Sequence, residues 1–224
     1  YFEKAANQGD AIAQGLLGLM YKNGNGMPQD YKKAKEWYEK SANQGNSTSQ
    51  EALGEIFYHG IGVPINYTIA RKWFERAANQ KDSDAQYNLG NIYCNGQGVP
   101  QNYTKAKEWF EKSAIQNNNN AENNLAIIYY NGDGVPQNYT IAKEWFEKAA
   151  NNGNNDAQKT LGLMYFVGKG TPQNLIMGYA WTNISAAQGN TTAIKVRNMA
   201  IKVMSPKEIA QGQAWSSQWF AEHS

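Results

Sequence analysis

Residues 82–117 read DSDAQYNLGNIYCNGQGVPQNYTKAKEWFEKSAIQN, and this stretch decides the fold. Ala85, Leu89, Ile92 and Tyr93 fall at i, i+4, i+7 and i+8, the spacing that gathers apolar side chains on one face of a helix. Gly96, Gly98 and Pro100 then stop that helix, since they lack a side chain or a backbone donor. A second helical pattern follows, with Tyr103, Ala106, Trp109, Phe110 and Ala114 on its apolar stripe. Asn102 is suited to cap its start, as are Asp30, Asn66 and Asn138 at equivalent places.

The pattern repeats in both directions. Pro28, Pro64, Pro100, Pro136 and Pro172 stand 36 residues apart, and Trp37, Trp73, Trp109, Trp145 and Trp181 keep the same interval. A fixed period of this length is the signature of stacked repeats, each too small to bury its apolar face alone. The spacing predicts an all-α, right-handed α-solenoid of antiparallel helix pairs at 10–45, 46–81, 82–117, 118–153 and 154–189; the hand follows from the general behaviour of such pairs. Gly18, Gly54, Gly90 and Gly162 recur in mid-helix, where glycine costs about 1 kcal/mol relative to alanine. Close approach of a neighbouring helix is the expected reason, with Ala126 at the remaining equivalent position. Glu36–Lys40, Glu108–Lys112 and Glu144–Lys148 are expected as i, i+4 ion pairs on a solvated face.

Composition agrees with thin inter-repeat layers and excludes several functions. The 224 residues are 41% hydrophobic, with a mean hydropathy of −0.71. The formal charge is +2, and the basic residues are spread along the chain, so no nucleic-acid partner is expected. One cysteine, Cys94, leaves no internal disulfide framework, and two histidines cannot supply a His/Cys metal site. No apolar run is long enough for membrane insertion.

Ala85, Leu89, Gly90, Tyr93, then Gly96, Gly98, Val99, Pro100, then Ala106, Trp109, Phe110, Glu111, Lys112 and Ala114 resemble the Sel1-like repeat, a tetratricopeptide-like helical repeat. The likeness recurs five times and covers nearly the whole chain. Residues 1–9 repeat the second-helix ending seen at 37–45 and are read as the remnant of a preceding repeat, hence as part of a longer protein. Residues 190–224 leave the period and are similar to the closing segment of bacterial family members. A helix at 191–203 and another from Pro206 are expected to cap the array, with the natural C-terminus present.

The resemblance implies a non-enzymatic adaptor that binds a protein or peptide, from a bacterial family often exported to the periplasm or secreted, including host-directed factors and toxin-neutralising immunity proteins. The alternative it raises is a β-lactamase-like or cell-wall hydrolase, as described for cysteine-rich relatives. Ser-x-x-Lys, Ser-Asp-Asn and Lys-Thr-Gly are all missing, and so are the paired cysteines. The Gly-x-Gly loops join helix to helix without a Lys-Ser/Thr pair, so they read as turns and not as phosphate loops. His59 is placed to pair with Glu55, but no Ser or Cys nucleophile accompanies it. No catalytic residue, metal or cofactor is expected. The sequons at Asn46, Asn66, Asn102, Asn138, Asn183 and Asn190 are read as the habit of an asparagine-rich bacterial proteome, with capping sufficient reason for the recurring ones.

Scaffold residues recur every period, whereas binding residues should vary. In related helical repeats the variable, exposed positions of the first helix line a concave face. One column reads Gly15, Glu51, Tyr87, Asn123 and Lys159; a second Leu19, Glu55, Asn91, Ile127 and Leu163; a third Lys22, Tyr58, Cys94, Tyr130 and Phe166. The expected groove is acidic at its N-terminal part, through Glu51 and Glu55, and aromatic to aliphatic where Ile127, Tyr130, Leu163 and Phe166 gather. Tyr130 and Phe166 have a second reading as packing between repeats. The expected partner is a protein or peptide with a basic portion followed by an apolar one, and the chain is expected to be a monomer.

Overall fold

The computed structural model describes residues 2–223; Tyr1, where the remnant reading begins, and Ser224 lie outside the described residues. Among the described residues there are 13 α-helices and no strand. They fall into two compact units, Tyr1–Ser113 and Ala114–Ser224. The first unit carries α1 (Phe2–Asn7), α2 (Ala11–Asn23), α3 (Tyr31–Asn43), α4 (Ser47–His59), α5 (Tyr67–Asn79), α6 (Ser83–Asn95) and nearly all of α7 (Tyr103–Ala114). The second carries α8 (Asn119–Asn131), α9 (Tyr139–Asn151), α10 (Asn155–Val167), α11 (Leu175–Ala187), α12 (Thr191–Ala200) and α13 (Pro206–Glu222).

Each first helix begins at an Asp or Asn that accepts a backbone N–H three residues on, as Asp82 does from Ala85 at 2.9 Å. In the five pairs it ends where a loop glycine such as Gly96 turns left-handed. Asn66, Asn102, Asn138 and Asn190 cap their helices in the same way, as does Asn46. Five of the six sequon asparagines are therefore helix caps, and the sixth, Asn183, donates to Ser216 at 2.9 Å and accepts from Arg197 at 3.3 Å. Gln101 closes the turn by donating to the Cys94 carbonyl at 2.7 Å, and Gln137 and Gln173 repeat this bond one and two periods later.

The apolar layers are periodic. Leu53, Leu89, Leu125 and Leu161 are fully buried, beside Phe74, Phe110 and Phe146 from the second helices. The mid-helix glycines are explained by these rings: a Cβ on Gly90 would lie 2.4 Å from Phe110, and one on Gly18 would lie 2.8 Å from Tyr38. The close approach is thus to an aromatic side chain of the paired helix. In the fifth pair Thr182 replaces the ring and stands 2.6 Å from a Cβ built on Gly162.

A polar spine runs beside the layers within each unit. Buried Gln14, Gln50 and Gln86 donate to the carbonyls of Ala6, Ala42 and Ala78, and Gln44 and Gln80 donate to the side-chain oxygens of Gln14 and Gln50. Gln158 does the same in the second unit, donating to Ala150 and accepting from Gln188. Glu122 breaks the series. Its carboxylate is fully buried and cannot donate, so it accepts from Asn152 at 2.9 Å and pairs with Lys148 at 3.1 Å, while Lys148 Nζ also serves the Ala114 carbonyl at 3.2 Å.

The surface charges differ from the expected pattern. Among the described residues, i, i+4 ion pairs form at Lys35–Glu39, Arg71–Glu75, Lys107–Glu111 and Lys143–Glu147, in the reverse orientation. Lys40 and Lys112 lie over Trp37 and Trp109 at 3.9 and 4.0 Å, so the recurring tryptophans act as cation platforms. At the end of the second unit α12 stops at Ala200, and Ile201–Val203 form a turn where helix was expected. Ser205 and Glu208 form a capping box at the start of α13. Trp219 of that helix is buried against Trp181, 6.1 Å between ring centroids, which covers the last apolar layer.

Candidate functional site

Some of the variable positions line clefts between consecutive first helices: Gly15, Leu19, Lys22, Glu51 and Glu55 in the first unit, and Tyr130, Leu163 and Phe166 in the second. In the first unit, a cleft of about 250 Å³ separates α2 from α4, with Ile12, Leu16 and Leu19 on one wall, Glu51 and Glu55 on the other and Tyr38 among its lining residues. Ile12 is 67% exposed, Leu16 40% and Leu19 42%, an apolar stripe at helical spacing that the fold leaves uncovered. Ile12 and Leu16 depart from the period, for the residues 36 further on are Thr48 and Ala52, and those 72 further on Asp84 and Asn88.

The opposite wall is electrostatically uneven. Glu55 is met by Lys22 at 3.3 Å, while Glu51 is half-buried without such a cation. Burial, then the charges of Glu55, Asp82 and Asp84, push the Glu51 carboxyl up to about 8 against a smaller opposing effect of Lys22. Burial and the same two glutamates push Tyr38 to about 12. The cleft therefore holds a protonated carboxyl at neutral pH, beside an ion pair and an aliphatic wall. His59 does not pair with Glu55: it is exposed, edge-on to Tyr58 at 4.9 Å, because the Glu55 carboxylate turns to Lys22.

Further along the same unit Tyr58 packs edge-on to Tyr67 at 5.3 Å and donates to Gln97 at 2.7 Å. Tyr87 lies 6.0 Å from the Phe110 ring, and Asn91 is half-buried. Tyr58 and Tyr87 thus serve the repeat layer as well as the surface.

In the second unit a cleft of about 470 Å³ between α8 and α10 is lined by Tyr130, Leu163, Val167 and Lys169, among others. Tyr130 stands edge-on to Tyr139 at 5.1 Å, with Lys169 over both rings at 4.7 and 4.4 Å and donating to the Tyr130 hydroxyl at 3.1 Å. Ile127 is 40% exposed on α8, where Asn123 is half-buried. Lys159 is held by Asp156 at 2.7 Å. Phe166 is wedged against α11, 2.6 Å from where a Cβ on Gly178 would lie, and its free edge lines a third cleft, between α10 and α12. Tyr130 and Phe166 thus combine packing with surface exposure. Residues missed in the sequence are Ile12, Leu16, Lys169 and the α12 wall; the first two were visible as departures from the period.

Among the described residues no group of three or more His, Cys, Asp or Glu is placed to hold a metal ion, and no helix is long and apolar enough to cross a membrane. The sequence matches the Sel1 repeat over residues 1–10, 11–46, 47–82, 83–118, 119–154 and 155–190. The chain belongs to the Sel1 repeat family. The Sel1 repeat builds a helical solenoid that is generally a non-enzymatic scaffold for protein interactions. A Sel1 repeat protein from Oxalobacter formigenes is 29% identical with a TM-score of 0.83, covering 95% of this chain and 86% of that one. The protective antigen c5321 of uropathogenic Escherichia coli is 28% identical with a TM-score of 0.63; the alignment covers 99% of this chain and 56% of the antigen. The immunity protein PA5088 from Pseudomonas aeruginosa shares the fold at 14% identity, with a TM-score of 0.55 over 96% of this chain and 83% of its own. No curated protein matches the chain in sequence.

Proposed function

We propose that this Sel1 repeat protein is a non-enzymatic adaptor that binds a protein or peptide on the exposed faces of its first helices. The partner is engaged in the first unit through Glu51, Glu55, Tyr58, Tyr87 and Asn91, and in the second through Asn123, Ile127, Tyr130, Lys159, Leu163 and Phe166. The carrying observation is the exposed stripe Ile12, Leu16 and Leu19 facing Glu51 and Glu55 across the α2/α4 cleft. A repeat scaffold has no use for it: the equivalent side chains one period on are Thr48, Ala52 and Glu55. Aliphatic wall and carboxylates together suit a cationic side chain with an apolar neighbour, such as a lysine or arginine next to a leucine. Its arrival would draw the proton from Glu51, so binding should release protons near neutral pH.

Family resemblance supports a bacterial protein acting in the periplasm or outside the cell, as a host-directed or toxin-neutralising factor. The test is capture from extracts of the source organism with the wild-type chain, with Glu51→Lys/Glu55→Lys and with a control changed on the second helices at Lys32 and Lys72. The reading requires a partner held by wild type and control and lost by the cleft variant. A partner held equally by all three refutes it.

A further inference from the structure

We propose that the groove between α10 and α12 is a docking site for an acidic amphipathic segment of a protein partner. The proposal rests on the protein-binding reading and adds to it a subsite of opposite charge preference. Leu163 and Phe166 of α10 face Val196, Met199 and Ala200 of α12, with Val203 of the following turn, around a volume of about 340 Å³. Met199 is 68% and Val203 76% exposed, so these side chains contribute little to the fold. Both walls carry helical stripes, Lys159, Leu163 and Phe166 on one and Thr192, Val196 and Met199 on the other, each at i, i+4, i+7. A furrow between two such stripes accepts the ridge of a third helix.

Charge selects the occupant. Between Asp156 and Glu208 the chain has no acidic residue and six basic ones, Lys159, Lys169, Lys195, Arg197, Lys202 and Lys207. Lys195 lies one turn before Met199, Lys202 adjoins Val203, and both are exposed. An apolar floor with a basic rim complements apolar anchors flanked by Asp or Glu. A recessed floor between two helices favours a protein segment over a lipid surface, which is met by a protruding apolar face.

The test selects dodecapeptides displayed on phage against the intact 224-residue protein. Enriched sequences should carry apolar residues at helical spacing flanked by acids. A synthetic consensus peptide should bind Met199→Asp/Val203→Asp about tenfold or more weakly than wild type. Lys195→Glu/Lys202→Glu should lose about threefold at low salt, a gap that closes near 0.5 M. All four positions are exposed, and circular dichroism verifies that the variants fold. Peptides that are basic, or that bind Met199→Asp/Val203→Asp unchanged, overturn the groove assignment while leaving a peptide-binding protein. Absence of any enrichment contradicts the groove and weakens the adaptor reading with it. Sedimentation with phosphatidylserine vesicles, lost in the same variants and accompanied by no peptide, assigns the groove to anionic lipid and overturns the proposal.

Discussion

Lys148→Met probes the irregular point of the polar spine. The ammonium does two things: it neutralises the fully buried Glu122 carboxylate at 3.1 Å, and it donates to the Ala114 carbonyl at 3.2 Å, where the other repeats use a glutamine amide. Removing one partner of a fully buried pair costs about 3–5 kcal/mol. The Lys148 side chain is 42% exposed, so water screens part of this, and about 2 kcal/mol is the appropriate figure for the charge. The orphaned carbonyl adds about 1 kcal/mol. Methionine keeps most of the apolar stem, so packing losses stay small. The sum is a destabilisation of about 3 kcal/mol.

Glu122→Gln supplies the test of cause. The amide can donate to Ala114 and still accept from Asn152, as Gln158 donates to Ala150 and accepts from Gln188. Lys148, now 5.3 Å from the Trp145 centroid, is then free to settle over the ring as Lys40 does at 3.9 Å. Glu122→Gln should be neutral or stabilising by up to about 1 kcal/mol, and Lys148→Met on that background should cost less than about 0.5 kcal/mol. Urea unfolding followed by far-ultraviolet circular dichroism gives the four stabilities of the cycle. If Lys148→Met costs the same in both backgrounds, the compensation argument is wrong.

Glu51 offers a pH signature. Its carboxyl titrates higher folded, near 8, than unfolded, so the folded state holds the extra proton between about pH 4.5 and 8 and stability falls as pH rises through that window. Glu51→Gln should therefore match wild type at pH 4.5 and melt higher at pH 8.5; a gap that is constant with pH refutes the assignment. Gly90→Ala should cost about 1–3 kcal/mol by urea unfolding, since the new methyl meets Phe110 at 2.4 Å, and a neutral result would mean the ring shifts freely. Lys81 sits at φ +67° where the corresponding Gly45 and Gly153 stand at +94° and +85°, so Lys81→Gly should stabilise by about 0.5–1 kcal/mol; a loss of stability contradicts strain there.

Helix pairs and layers were legible because most layer residues recur at 36, and one repeat such as 82–117 already shows both stripes and their stop signals. The polar spine was written in the same recurrence, at Gln14, Gln50, Gln86 and Gln158, but a buried glutamine has the same sequence appearance as a solvated one. Ion-pair choice was not legible, because Lys40 at i+3 from Trp37 prefers the ring to Glu36, a competition that spacing rules omit. Glu51 was singled out for its like charge one turn from Glu55, yet its partial burial depends on α2 and α3, which sequence columns do not place. The α10/α12 groove was hidden for another reason. Residues 190–224 leave the period, so Val196, Met199 and Val203 read as capping residues until α12 was seen to follow α10 as a further first helix.

The central claim is that the first-helix clefts are where a partner sits. Photocrosslinking tests it directly, with p-benzoylphenylalanine placed singly at Leu16 and Met199, both exposed in clefts, and at Lys32 and Lys72, both exposed on second helices. In extracts of the source organism, the account predicts a discrete adduct from position 16 or 199 and none from 32 or 72. An adduct formed only from 32 or 72, or equally from all four, would contradict it.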